Sequence, residues 1–166
     1  MSPTTTAKPS KGTNEATVTT PSDREVHIER TFDAPPDRVW RAMTDEKLLA
    51  QWWGRGNKLD IERYDLRRGG HWRFVEHADG QTHGFEGRFA EVTPRTRLVQ
   101  TFEWDGAPGH VTLQTQTLVA LPDGRTKLVI HCLFLTTEDR DDMLSKGMEA
   151  GLNASHAALD AVLAKL

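Results

Sequence analysis

Residues 137–166, TEDRDDMLSKGMEAGLNASHAALDAVLAKL, decide the fold. Leu144, Met148, Leu152, Ser155, Leu159, Val162, Leu163 and Leu166 recur every three or four positions, the spacing that gathers side chains on one stripe of an α-helix. Beside it runs a stripe of small residues, Gly147, Gly151, Ala154 and Ala158. Glycine in a helix interior costs roughly 1 kcal/mol relative to alanine. Two of them one turn apart are expected to admit a close neighbour, either a sheet or a bound molecule. Thr136 followed by Asp139 fits an S/T-x-x-D/E helix start. Acidic residues fill the first turns and Lys165 sits in the last, as the helix dipole favours. The spacing predicts one helix over 137–166, about 45 Å long at 1.5 Å per residue. A helix of that length needs a broad sheet to lie along.

The preceding chain supplies strands. Two Asp-Gly pairs, Asp79-Gly80 and Asp123-Gly124, sit between alternating segments and mark two-residue hairpins. The first turn places Phe74 opposite Phe85, Trp72 opposite Gly87 and Arg73 opposite Glu86. Aromatics then meet aromatics and opposite charges pair, as a correct register requires. Trp72, Phe74, Phe85 and Phe89 share one face. The second turn places Thr115 opposite Cys132, Thr117 opposite Ile130, Val119 opposite Leu128 and Leu113 opposite Phe134. That gives an apolar face dotted with two hydroxyls. Residues 98–104 form a further strand, bringing in Phe102 and Trp104, and residues 57–63 another.

Toward the N-terminus, residues 24–32 alternate as a first strand. Two short helices follow, over 37–43 and 46–53, the second capped by Thr44 or Asp45 and ending at Gly54 after Trp52-Trp53. The order is strand, two helices, six strands, one long helix. An antiparallel sheet with one apolar face and a helix to cover it is a two-layer α+β design.

The bulk numbers bound the rest. A length of 166 residues suggests one domain, and a net charge of −3 gives no reason to expect nucleic acid or an acidic membrane surface. Residues 1–22 carry almost no bulky apolar groups and are expected to be a disordered tail, leaving 23–166 as the domain. No apolar run approaches a membrane span and no signal-peptide core is expected. The lone cysteine, Cys132, excludes an intrachain disulfide and fits a cytoplasmic location.

The order and several motifs resemble the SRPBCC (START-like) superfamily with its helix-grip fold, in which a curved antiparallel sheet wraps a long C-terminal helix. FDAPPDRVWRAMTD (32–45) is similar to the opening motif of the branch related to the C-terminal domain of the activator of the Hsp90 ATPase. Trp52-Trp53, DLRRGGHW (65–72), GFEGRFAEV (84–92), Arg97-Leu98-Val99 and GMEAG (147–151) also fit. The resemblance runs from about residue 24 to the end. It implies a cavity between sheet and helix that takes apolar or aromatic small molecules, and it extends to lipid carriers, ring cyclases and stress proteins. The expected cavity residues are Trp53, Trp72, Phe74, Phe85, Phe89, Phe102, Trp104, Thr115, Thr117, Cys132, Phe134, Met143, Gly147, Met148 and Gly151.

Catalytic signatures are sparse. No G-x-S-x-G, P-loop or G-x-G-x-x-G occurs. His71, His77 and His83 do not converge on one ion, so neither a metal nor another cofactor is expected. The first hairpin sets Glu76 across from His83 at the end of the aromatic face, where the two would form a polar pair on a cavity rim. The expected function is binding of a hydrophobic small molecule, lipid or polyketide-like, without catalysis. The alternatives are a chaperone-interaction module and a cyclase-like enzyme using Glu76 and His83. The chain is expected to act as a monomer or weak homodimer.

Overall fold

A computed structural model describes residues 15–166. It contains strands β1 (Thr17–Thr19) and β2 (Glu25–Phe32), helices α1 (Pro36–Thr44) and α2 (Glu46–Trp52), and strands β3 (Lys58–Tyr64), β4 (His71–Ala78), β5 (Gln81–Thr93), β6 (Arg97–Trp104), β7 (Thr112–Ala120) and β8 (Thr126–Phe134). Helices α3 (Thr137–Ser145) and α4 (Met148–Leu163) complete the chain. The strands form one antiparallel sheet in the order β1-β2-β8-β7-β6-β5-β4-β3. This is the expected α+β helix-grip architecture with one strand more. Thr17–Thr19, inside the segment read as a tail, pairs with His27–Glu29. The rest of that segment, residues 1–14, lies outside the described residues.

The connection that matters most is the α1–α2 pair. It leaves β2, second from one edge, and re-enters at β3 on the opposite edge. Six strand spacings of about 4.8 Å separate those positions. Residues 33–57 make that crossing as two helices laid across the concave face. Proline opens α1 at its first turn, where no hydrogen bond is lost. Asp45 caps α2 by accepting from the amides of Lys47 (3.0 Å) and Leu48 (3.4 Å). Trp52 donates its indole N–H to the Ala42 carbonyl at 2.8 Å, fixing one helix to the other. Register shifts in β3 between Ile61 and Arg63 and in β5 between Phe89 and Glu91 help bend the sheet around them.

Two readings of the sequence are corrected. The terminal segment is not one helix. It breaks at Lys146-Gly147, where Gly147 adopts φ +77°, a conformation glycine enters without steric cost. The long C-terminal helix is therefore α4, and α3 is a separate helix capped by Thr136, whose hydroxyl accepts from the Asp139 amide at 3.1 Å. The second correction is a register. β7 and β8 pair Leu118 with Leu128, Gln116 with Ile130 and Gln114 with Cys132. The loop is Pro122-Asp123-Gly124, three residues long, with Leu121 N–H bonded to the Arg125 carbonyl and Gly124 at φ +86°. Proline at the first loop position with Gly in the left-handed third position is the turn-plus-bulge form of hairpin. The single-residue difference from a two-residue loop exchanges the faces of the strand.

The first hairpin behaves as read. Asp79 (φ 52°) and Gly80 (φ 74°) form a two-residue loop, and Phe74 pairs with Phe85, Trp72 with Gly87, Arg73 with Glu86 and Glu76 with His83.

The candidate site: an aromatic chamber under the α1–α2 pair

A cavity of about 40 Å³ lies between the α1–α2 pair and the sheet. The helices line it with Met43, Leu49, Trp52 and Trp53, and the strands with Tyr64, Trp72, Phe74, Phe89, Leu98, Gln100 and Gln116. Trp53 is the hub. Its ring centre lies 5.1 Å from Phe74, 5.2 Å from Phe85, 6.3 Å from Trp72 and 6.5 Å from Phe102. Most of these contacts are edge-on, the arrangement aromatic quadrupoles favour. Trp72 is fully buried, lies across Gly87 and donates its indole N–H to the Thr101 carbonyl at 3.2 Å. A Cβ on Gly87 would stand 1.9 Å from that carbonyl oxygen and 2.6 Å from the Trp72 nitrogen, so Gly87 is required by the stacked ring above it. Tyr64 flanks Phe74 and Phe89, and burial pushes its phenol well above the ordinary range.

Trp53 itself is only half-buried. It begins a loop in which Arg55 holds a left-handed φ of 59° and Gly56 one of 87°. Side-chain bonds to α4 and to β4 pin this loop. The Trp53 carbonyl accepts from Ser155 Oγ of α4 at 3.1 Å. Arg55 grips Glu76 with Nη2–Oε1 at 2.7 Å and Nε–Oε2 at 3.1 Å, while Asn57 adds a weaker bond to Glu76 at 3.4 Å. The carboxylate raises the Arg55 pKa further through that hydrogen bond.

The expected site residues divide accordingly. Trp53, Trp72, Phe74 and Phe89 line the cavity, with Phe85 and Phe102 packed against Trp53. Trp104 lies exposed over Gly106. Thr115 and Thr117 pair with His131 and Val129 and point away from the interior, because the second hairpin is three residues long. Cys132 and Phe134 are buried in the core away from the lining, and burial pushes the Cys132 thiol up to about 12. Met143 and Met148 pack on the core without reaching the cavity. Gly147 is exposed, and Gly151 faces Arg55, whose Cδ would be 3.4 Å from an added Cβ. The small-residue stripe thus holds a helix break at Gly147 and faces an arginine at Gly151. Glu76 is deeply buried and belongs to Arg55, and His83 stands beside Trp104 at 6.3 Å between ring centres, so the rim pair is not formed. Met43, Leu49, Trp52, Tyr64, Leu98, Gln100 and Gln116 also line it without a mark in the sequence pattern, except that the proline before Asp123 is a signal that turns Gln116 inward.

α4 carries a second polar feature. Arg30 makes a two-pronged bond to Asp160, both distances 2.6 Å, and lies 4.4 Å over the Phe32 ring. His156 packs edge-on against the same ring at 5.2 Å, its Nδ1 buried without a partner among the described residues. Burial, then the nearby Arg30 charge, hold its pKa down at about 4.

A curved sheet closed by a crossing helix pair and a terminal helix, with an aromatic interior, defines a helix-grip protein of the SRPBCC type. The chain belongs to the family of activator of Hsp90 ATPase homolog 1-like proteins, whose model matches residues 33–164. A crystal structure of a Rhodobacter sphaeroides protein is 28% identical, with a TM-score of 0.83 over 92% of this chain and 99% of that one. Protein CV1439 from Chromobacterium violaceum is 30% identical, with a TM-score of 0.70 over 83% of this chain and 96% of that one. The solution structure of an Arthrobacter aurescens protein shares the fold at 24% identity and TM-score 0.80, over 90% and 92% of the two chains. No curated protein matches the chain.

Proposed function

We propose that the protein binds an apolar aromatic small molecule in the chamber beneath the α1–α2 pair, and that Trp53 moves to admit it. The observation that carries this is the placement of Trp53: a half-buried ring on a short loop, standing in a nest of four other rings above a residual void. A void of about 40 Å³ holds only a few waters. An indole leaving that nest would open space for a guest ring of its own size, lined by the apolar walls typical of small-molecule sites. Among the described residues no helix is long and apolar enough to cross a membrane. The lone thiol, Cys132, is free and buried, in keeping with the cytoplasmic carrier proposed here. Calorimetric titration of wild type and Trp53→Ala with naphthalene tests the proposal. Micromolar binding by wild type, tightened by the truncation, is expected; no heat from either protein would overturn it.

A second reading has one observation in its favour. Leu113 and Leu133, paired across β7 and β8, and Leu135, 59% exposed, leave an apolar strip on the outer sheet face. Such a strip suits protein docking, and the family description points to a chaperone of the Hsp90 type. Stimulation of that chaperone's ATPase, lost in Leu133→Glu, would favour it over the carrier.

A further inference from the structure

The chamber is not uniformly apolar. Gln100 of β6 is 7% exposed and lines the cavity, flanked by Phe89 on one neighbouring strand and Gln114 on the other. Gln116 of β7, beside Leu98, lines it too. Gln116 is half-buried, and neither glutamine is shut away from both water and protein partners: among the described residues the buried side-chain polar atoms left without a partner are Arg30 Nε and His156 Nδ1. A carboxamide offers two donors and two acceptor positions, which a guest with a polar edge can take over from water on entering the chamber. Among the described residues no charged side chain lines the cavity. A carboxylate or ammonium brought there would be stripped of water with nothing to neutralise it.

We infer that the guest of this chamber is a neutral planar ring bearing a hydroxyl or carbonyl group, oriented by the amides of Gln100 and Gln116. Resting on the binding function proposed above, this narrows the ligand from any apolar molecule to one with a polar, uncharged edge. It excludes fatty acids and other anionic amphiphiles as preferred ligands. The aromatic walls supply the affinity of the ring. The two amides read its substituent, since a hydroxyl can both accept from and donate to a carboxamide. Gln100, at the better-buried position, carries the larger share of the discrimination.

Three probes of matched shape separate the possibilities: naphthalene, 2-naphthol and 2-naphthoate at pH 7.5, titrated into wild type, Gln100→Leu and Gln116→Leu. Wild type should bind 2-naphthol about tenfold more tightly than naphthalene, the scale of one well-made hydrogen bond, and should bind 2-naphthoate no better than naphthalene. Gln100→Leu should bring naphthol and naphthalene within about twofold of each other. If Gln100→Leu does not fold, a weakened preference in Gln116→Leu decides. Naphthalene binding with no preference for naphthol, a preference that survives both substitutions, or tighter binding of naphthoate would overturn the ligand class while leaving the chamber as a binding site. Binding of none of the three to wild type would remove the binding function itself.

Discussion

The Arg55 guanidinium, nearly half exposed, closes on a Glu76 carboxylate that is only 3% exposed, with Nη2 and Oε1 2.7 Å apart. The pair joins the loop after α2 to the middle of β4, and so anchors the backbone from which Trp53 projects. A buried acid held by one partly solvated cation is asymmetric. Removing the cation leaves the acid stranded, whereas removing both charges does not. Arg55→Ala is expected to cost about 2–4 kcal/mol in urea unfolding. Adding Glu76→Gln to that variant should recover at least half of the loss, because Asn57 and the neutral amide remain compatible. A double variant less stable than Arg55→Ala would show that Glu76 contributes by some means other than its charge.

The two helix-segment glycines should respond in opposite directions. Gly147 sits at φ +77°, where a side chain clashes with its own backbone, so Gly147→Ala should destabilise by about 1 kcal/mol. Gly151 has an ordinary helical neighbourhood, and an added methyl meets only Arg55 at normal contact distance. Gly151→Ala should stabilise by up to about 1 kcal/mol. Thermal melts of both variants check this. A loss from Gly151→Ala comparable to that from Gly147→Ala would mean that α4 approaches its neighbours more closely than described.

Stability should rise between pH 4 and 6.5. Burial, aided by the charge of Arg30 and opposed by that of Asp160, lowers the His156 pKa from 6.5 to about 4. The unfolded chain therefore binds a proton in this window that the folded chain refuses, and stability is lost as pH falls from 6.5 toward 4. At about 1.4 kcal/mol per unit the span is roughly 2–3 kcal/mol. Urea midpoints at pH 4.5, 5.5 and 7.5 for wild type and His156→Leu should show a wild-type slope that the variant loses. Equal slopes in the two proteins would assign the acid sensitivity elsewhere.

Much of this was visible in the residues, and the failures have physical causes. Asp79-Gly80 joins strands whose facing side chains agree, so the aromatic wall of Trp72, Phe74, Phe85 and Phe89 is legible in the sequence alone. Asp123-Gly124 looked the same locally, but Pro122 lengthened its loop by one residue, and that step sent Thr115 and Thr117 outward and Gln114 and Gln116 inward. The glycines of the last segment suggest room for a neighbour, whereas at Gly147 the backbone angle is the reason. Least legible was which element covers the aromatic wall. The repetition along 144–166 pointed to the terminal helix, yet the cavity is roofed by Met43, Leu49, Trp52 and Trp53. That assignment depends on β2 and β3 lying at opposite sides of the sheet, which no local pattern records.

The most direct measurement follows the indole N–H resonances of the five tryptophans while naphthalene is added to wild-type protein. Trp53 and Trp72 should shift together and saturate with one equivalent, with Trp104, exposed at the end of the aromatic face, and Trp40 left in place. Shifts confined to Trp104, or unchanged Trp53 and Trp72 signals at saturating probe, would contradict the chamber as the seat of binding.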